Sequence, residues 1–385
     1  MRAERVAYFP RPDLSSCRFD GGLVIADPQG RRLLAYNESA ALIWQAILDG
    51  APADTAAALL TREYGIATAQ AHADAAAIVA HWHGLDLLGE GSQPSDVPAT
   101  LAATSVVTRE PTRAVHYAIG GRIFRTAIAD DAIAQRIDAV LAPFRCDERS
   151  SDASISVAMA AGAEWVIRLN DGERLRSDVL AEVVGSVYQM MLEILYGCSD
   201  WLAIIHGAAV IERDVASILA GPSGSGKSTL AAGLAARGFR YAADDMAALL
   251  APSGCLAPWP IPQSVKAGSW SELAAAYPEL DDAPVLELGG KRAKCVPAPA
   301  SAWTEAPCRV GRLVFPTFDP ASVGEVVRLR PLEALQRLLQ DRIWLGDVSS
   351  FANVERFLGW LQATPSLAIR YRTVEQAHAL IDQFT

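Results

Sequence analysis

Two short apolar runs, residues 22–26 (GLVIA) and 31–35 (RRLLA), flank Asp27-Pro28-Gln29-Gly30, a turn composition, and together predict a β-hairpin. Helical spacing takes over after it. Asn37 is a candidate N-cap for ESAALIWQAILDG, in which Leu42, Ile43 and Ile47 recur at helical intervals and Gly50 ends the run. ADTAAALLTREYG predicts a second helix stopping at Gly65, and TAQAHADAAAIVAHWHGLDLL a third. A hairpin with three short helices defines a small domain over residues 1–95. The stretch GEGSQPSDVPAT (89–100) lacks periodicity and reads as a linker.

From 101 onward the pattern alternates. Residues 101–200 offer strand-like VVTRE, VHYAIGGRIFRTAI, SISVAMA and EWVIRLNDGE, with helices at DDAIAQRIDAVLAPF and about 178–197. Residues 201–320 carry the candidate chemistry. Over 321–385, RPLEALQRLLQDR, NVERFLGWLQA and VEQAHALIDQF predict closing helices. The fold class is therefore α/β, with a smaller α+β domain in front.

Composition narrows the partners. At 385 residues, 51% hydrophobic and 20% charged, the chain is long enough for two or three ordinary cores. Its formal charge is −10, and residues 1–95 hold 7 basic against 11 acidic side chains, so no bulk footprint for nucleic acid exists. The six cysteines include no CxxC pair, and no apolar run reaches the roughly 18 residues a membrane span requires. The expectation is a cytoplasmic protein with neither nucleic-acid nor membrane partners. All four lysines (Lys227, Lys266, Lys291, Lys294) fall between 227 and 294, although arginine is the habitual cation elsewhere. A compact ammonium suits phosphate.

The clearest motif lies in that window. Gly221-Pro222-Ser223-Gly224-Ser225-Gly226-Lys227-Ser228 is a complete GxxxxGK[ST] between an apolar strand (215–220, VASILA) and a helix (228–237, STLAAGLAAR). Glycines let backbone N–H groups turn inward around phosphate oxygens, while Lys227 and Ser228 suit β/γ-phosphates and Mg²⁺. Residues 239–243 then read as a strand ending at Asp244-Asp245. If it runs parallel to 215–220, both acids share an edge with the loop. IIHGAAVI and VASILA flank Glu212-Arg213-Asp214 as a hairpin centred near Arg213, which sets His206 opposite Ala220. Lys266 follows in a Pro-rich loop and ranks above the Lys291, Arg292, Lys294 cluster behind Gly289-Gly290 as a phosphate contact. His81 and His83 point apart on a helix and predict no metal.

His206-Gly207, the loop 221–228, Arg237-Gly238 and Ala243-Asp244-Asp245 resemble the catalytic segment of the HPr kinase/phosphorylase family. The resemblance implies a P-loop, HPr-kinase-like catalytic domain over 101–385, using ATP and Mg²⁺. Carried over, Asp244 is the general base, His206 and Lys227 assist, residues 221–228 with Thr229 and Lys266 hold the nucleotide, and Ser228 and Asp245 face the metal. Thr229 stands where members carry an acid, and LELGG (286–290) only faintly matches their Arg-Gly-x-Gly signature, which argues against HPr as substrate. A homo-oligomer is compatible with the family.

Residues 19–90 resemble the PqqD peptide chaperones, through the hairpin, Asn37 and its helix, Asp49-Gly50, and the Asp74 helix running into Gly84-Leu85. That resemblance implies a winged-helix-like domain that takes a precursor peptide's leader as an added strand. Together the two imply an ATP-dependent kinase acting on a serine of a ribosomally synthesised precursor, similar to lasso-peptide tailoring kinases. The alternatives are a small-molecule or sugar kinase of the same fold, or a non-catalytic, nucleotide-responsive peptide-binding module. Deleting residues 1–95 separates the first alternative from the main reading, and Asp244→Asn the second.

Overall fold

The computed structural model describes residues 8–29, 32–51, 53–90, 106–147, 150–251, 253–259, 261–288, 291–297, 306–345 and 351–384. The chain forms two compact units, Met1–Leu101 with Leu329–Ser366, and Ala102–Arg328 with Leu367–Thr385. Most of the stretch read as linker, and the Gly30 of the hairpin turn, lie outside the described residues.

The first unit is built on an antiparallel sheet of β1 (Ser15–Phe19), β2 (Gly22–Asp27) and β3 (Arg32–Tyr36), with β2 central. The predicted hairpin is β2–β3. β1, whose sequence SSCRF has no apolar alternation, carries no strand signal of its own. α1 (Glu38–Leu48) starts where Asn37 Oδ1 accepts the Ala40 N–H at 3.1 Å. α2 (Ala53–Tyr64) and α3 (Thr68–Gly84) follow, with Gly50 and Gly65 at positive φ behind the first two helices. Leu23 and Ile25 of β2 join Ile43, Trp44, Leu60 and Trp82 in one core. Trp44 and Trp82 meet edge to face at 5.0 Å.

Strand alternation sends Val24 and Ala26 to the other face of β2, and both are fully buried. That second face is therefore covered too. α4 (Pro331–Gln340) packs here: the Leu332 N–H donates to Asp20 Oδ2 at 3.1 Å and Arg330 Nη2 to the Asp20 carbonyl at 2.6 Å. Gln336 Nε2 donates to the Ala35 carbonyl of β3 at 3.5 Å. A Cβ on Gly22 would lie 2.5 Å from Leu332 Cδ2. The expected assignment of all of 321–385 to the larger domain is thus corrected, because 329–366, including α5 (Phe351–Ala363), belongs with the first unit. α4 carries its apolar face at Leu332, Leu335 and Leu338, and β2's two-sided apolar sequence supplies the surface for such a stripe.

In the second unit, residues 107–177 form a seven-stranded sheet with helices Asp131–Leu141 and Leu180–Tyr196. The six-stranded sheet that positions the site follows the order Arg240–Ala243, Gly207–Glu212, Val215–Ala220, Arg309–Phe318, Ser366–Tyr371, Glu325–Leu329. We label β4 (Gly207–Glu212), β5 (Val215–Ala220) and β6 (Arg240–Ala243). β4 is antiparallel to both β5 and β6, so β5 and β6 run in the same direction. A small antiparallel sheet of β7 (Gln263–Lys266), β8 (Lys291–Val296) and Leu286–Leu288 completes the surroundings. Lys266, expected in a loop, ends strand β7. Among the described residues no helix is long and apolar enough to cross a membrane.

Candidate active site

The strand directions bring three sequence signals to one sheet edge. β5 runs out into the glycine-rich loop, β6 runs out into Asp244-Asp245, and β4, pointing the other way, begins just after His206. The hairpin register differs by one residue from that expected, with Gly207 rather than His206 opposite Ala220. The reason is local: Arg213 and Asp214 both take positive φ and close a two-residue turn in place of the three-residue turn expected. His206 consequently sits one step beyond the paired strand, at the sheet edge. A Cβ on Gly207 would lie 2.6 Å from the Leu219 carbonyl, so this close pairing requires glycine.

The loop folds as a cradle. Gly221, Gly224 and Gly226 all have positive φ, and the Ser225 N–H donates to the Pro222 carbonyl at 3.2 Å. The helix Lys227–Ala235 starts at Gly226, whose carbonyl accepts the Leu230 N–H at 2.8 Å. Lys227, only 6% exposed, bonds the Gly221 carbonyl and, at 3.2 Å, that of Pro222. Ser225 Oγ is buried with no hydrogen-bond partner among the described residues. A buried hydroxyl with no partner among the described residues, three glycines at positive φ and a buried ammonium gather at one loop, and that chemistry fits a polyanion.

The two acids differ sharply. Asp244 is 2% exposed, accepting from Ser228 Oγ at 2.8 Å and from the Ser264 N–H at 2.9 Å. Burial, and then the Asp245 charge beside it, push its carboxyl up to about 7. Asp245 has a side chain 61% exposed, a backbone φ of 63°, and Oδ1 3.6 Å from His206 Nε2. Crowding opposes its charge, but His206 and the Lys266 and Lys227 ammonium groups outweigh it and hold the carboxyl below the usual range. Ser228 and Asp244 together offer oxygens suited to Mg²⁺, a hard cation.

The remaining candidates divide. Thr229 Oγ1 is 2.6 Å from Ser269 Oγ, so it ties the helix to a neighbouring loop instead of opening into the cradle. Lys266 acts on both acids through its charge. Lys291, ranked lower from sequence, places Nζ 3.1 Å from Ser223 Oγ of the loop. Lys294 and Arg292 turn away to the Trp270 ring, at 4.9 and 5.5 Å from its centroid. Gly289 and Gly290 lie outside the described residues. Sequence reasoning missed Tyr371, whose hydroxyl reaches the Gly226 carbonyl at 3.5 Å, and the Phe318 N–H, which donates to the Ser225 carbonyl at 3.2 Å. Both come from strands without a motif.

Fold and site thus define a mixed α/β chain whose glycine-lysine loop shares an edge with an acid pair and a histidine. Comparison with known proteins addresses the other unit. Residues 22–88 match the family described as "Coenzyme PQQ synthesis protein D (PqqD)", and the N-terminal domain is PqqD-like. Among solved structures, a chain titled "Lasso peptide synthetase B1 complexed with the leader peptide" is 32% identical, covering 21% of this chain and 96% of its own, with a TM-score of 0.21. No curated protein matches the chain.

Proposed function

We propose that the chain is an ATP-dependent kinase that phosphorylates a serine hydroxyl of a ribosomally synthesised precursor peptide, whose leader docks on the PqqD-like unit. The observation carrying this reading is the shared edge: loop 221–228, Asp244, Asp245 and His206 converge, with Ser228 Oγ 2.8 Å from Asp244 and His206 3.6 Å from Asp245. Residues 221–227 would hold the triphosphate, and Ser228 with Asp244 would hold Mg²⁺. When bound, the metal neutralises charge developing on the transferring phosphoryl group.

This reading exchanges the roles that the sequence resemblance gives the two acids. Asp244 is buried behind Ser228 and cannot meet an external alcohol, whereas Asp245 is exposed at the rim. Asp245 therefore orients the incoming serine hydroxyl and accepts its proton, with His206 alongside. The serine oxygen bonds to the γ-phosphorus as the bond to the bridging β-phosphate oxygen breaks and ADP departs. Lys227 and Lys291 offset negative charge at the loop. Leader docking raises the local concentration of the acceptor serine, so the catalytic unit needs only weak contacts with it.

The test uses the full chain with ATP, Mg²⁺ and the precursor encoded beside its gene, read by intact mass. Gain of one phosphate on serine is expected, and Asp245→Asn lowers the rate by about 10² or more while leader binding persists. An unchanged peptide mass, with the leader intact, overturns the proposal.

A further inference from the structure

The first unit contains a groove of about 910 Å³ whose walls come from two distant parts of the chain. Ile43, Leu60, Ile66 and Ile78, from the PqqD-matched stretch 22–88, supply an apolar floor. The opposite wall is Arg330 with α4, through Leu332, Glu333 and Gln336, which lie far outside that stretch. Glu38, Asp74 and Glu333 put three carboxylates on the groove, against the single guanidinium of Arg330. Arg330 pairs with Glu38 at 3.1 Å and bonds the Asp20 carbonyl at 2.6 Å, which leaves Asp74 and Glu333 as the acidic excess. The groove is thus apolar inside and acidic at its margin. Its volume suits a short stretch of peptide, a few residues long, rather than a whole folded partner.

We infer that this composite groove docks the precursor's leader through an apolar anchor residue flanked by a basic side chain, and that α4 is a recognition element in its own right. The inference rests on the peptide-kinase reading and deepens it. Strand addition at a sheet edge uses backbone bonds that every peptide shares, so selectivity must come from side-chain pockets. A groove partly walled by α4 supplies such a pocket with residues that the PqqD-like region does not contain. Leader choice is then set partly by 329–340, and residues 1–95 alone lack that wall of the site.

The test is fluorescence anisotropy on the full chain, with a fluorescein-labelled synthetic leader of the precursor encoded beside its gene. Ala77→Trp fills the groove from α3 and Gln336→Trp from α4, both at positions with some exposure. Each should raise Kd about tenfold or more, and Glu333→Lys should weaken binding of a leader with its basic residue intact but not of one with that residue changed to Glu. Circular dichroism and thermal midpoints confirm that each variant is folded, and Gln336→Ala serves as a second, non-bulky change. If Ala77→Trp weakens binding while all α4 variants bind like wild type, the role of α4 is overturned and the kinase reading stands. If the leader binds but no groove variant affects it, the groove is not the docking site. A leader that does not bind at all removes both.

Discussion

Asp245 is the residue at which function and stability should separate. Its φ of 63° is left-handed, and a side chain with a Cβ costs about 1–2 kcal/mol there. Glycine escapes that cost, although its larger unfolded-state freedom returns about 0.5–1 kcal/mol. Both Asp245→Gly and Asp245→Ala also remove the negative charge that pushes on buried Asp244. Neither substitution leaves a buried partner unpaired, because the Asp245 side chain is largely exposed. The Gly variant should therefore be more stable than the Ala variant by roughly 1 kcal/mol, the reverse of the usual order, which is an effect of strain rather than of contacts. Both should phosphorylate the precursor at least about 10²-fold more slowly than wild type. Urea unfolding followed by far-ultraviolet circular dichroism gives the order of stabilities, and a single-turnover phosphorylation assay gives the rates. An Ala variant as stable as the Gly variant refutes the strain argument. A Gly variant that still turns over refutes Asp245 as the proton acceptor.

Two further predictions follow from buried carboxylates. Asp244 has its folded-state value raised to about 7, so its neutral form stabilises the fold; that contribution is complete below the unfolded value near 4 and is lost as pH rises through 7. Metal-free wild type should lose stability relative to Asp244→Asn between pH 4 and 8, measured as the pH slope of their difference in urea midpoint, and parallel curves would contradict it. In the first unit, Asp27 is fully buried and pairs with Arg11 and, at 2.5 Å, with Arg32. Asp27→Ala leaves the mostly buried Arg11 without its deepest partner and should destabilise the unit by about 3 kcal/mol. A change under 1 kcal/mol by chemical denaturation would mean that the remaining contacts of Arg11 with Asp13 suffice.

What the sequence made legible follows the range of each signal. The loop, its strand and its helix are local, set by glycines and by a single change of periodicity, and the expected elements appear at 215–220 and 227–235 within a residue or two. The direction of β6 was also accessible, because an intervening antiparallel strand preserves the sense of a strand–helix–strand unit. The hairpin register was not, since a two-residue and a three-residue turn through Glu212-Arg213-Asp214 differ only in which residues accept positive φ. Nor was the burial of Asp244, because it depends on Ser264 and β7, which arrive from later in the chain.

The return of 329–366 to the first unit was the largest step beyond sequence, and its cause is thermodynamic. A three-stranded sheet with a central strand as apolar as GLVIA has two faces to bury, and helices α1–α3 can cover only one of them. The other is met by an amphipathic helix with Leu332, Leu335 and Leu338 on one side, whose Leu332 packs against Gly22. The signal was therefore present as an excess: five successive apolar or small residues in β2, where a half-exposed strand would alternate. Because the covering helix also walls the groove, the same excess that demands a partner for β2 ties the groove proposed for the leader to a segment encoded after the glycine-rich loop and the acid pair. Selection on leader choice can then act on α4 without altering the domain core that α1–α3 build.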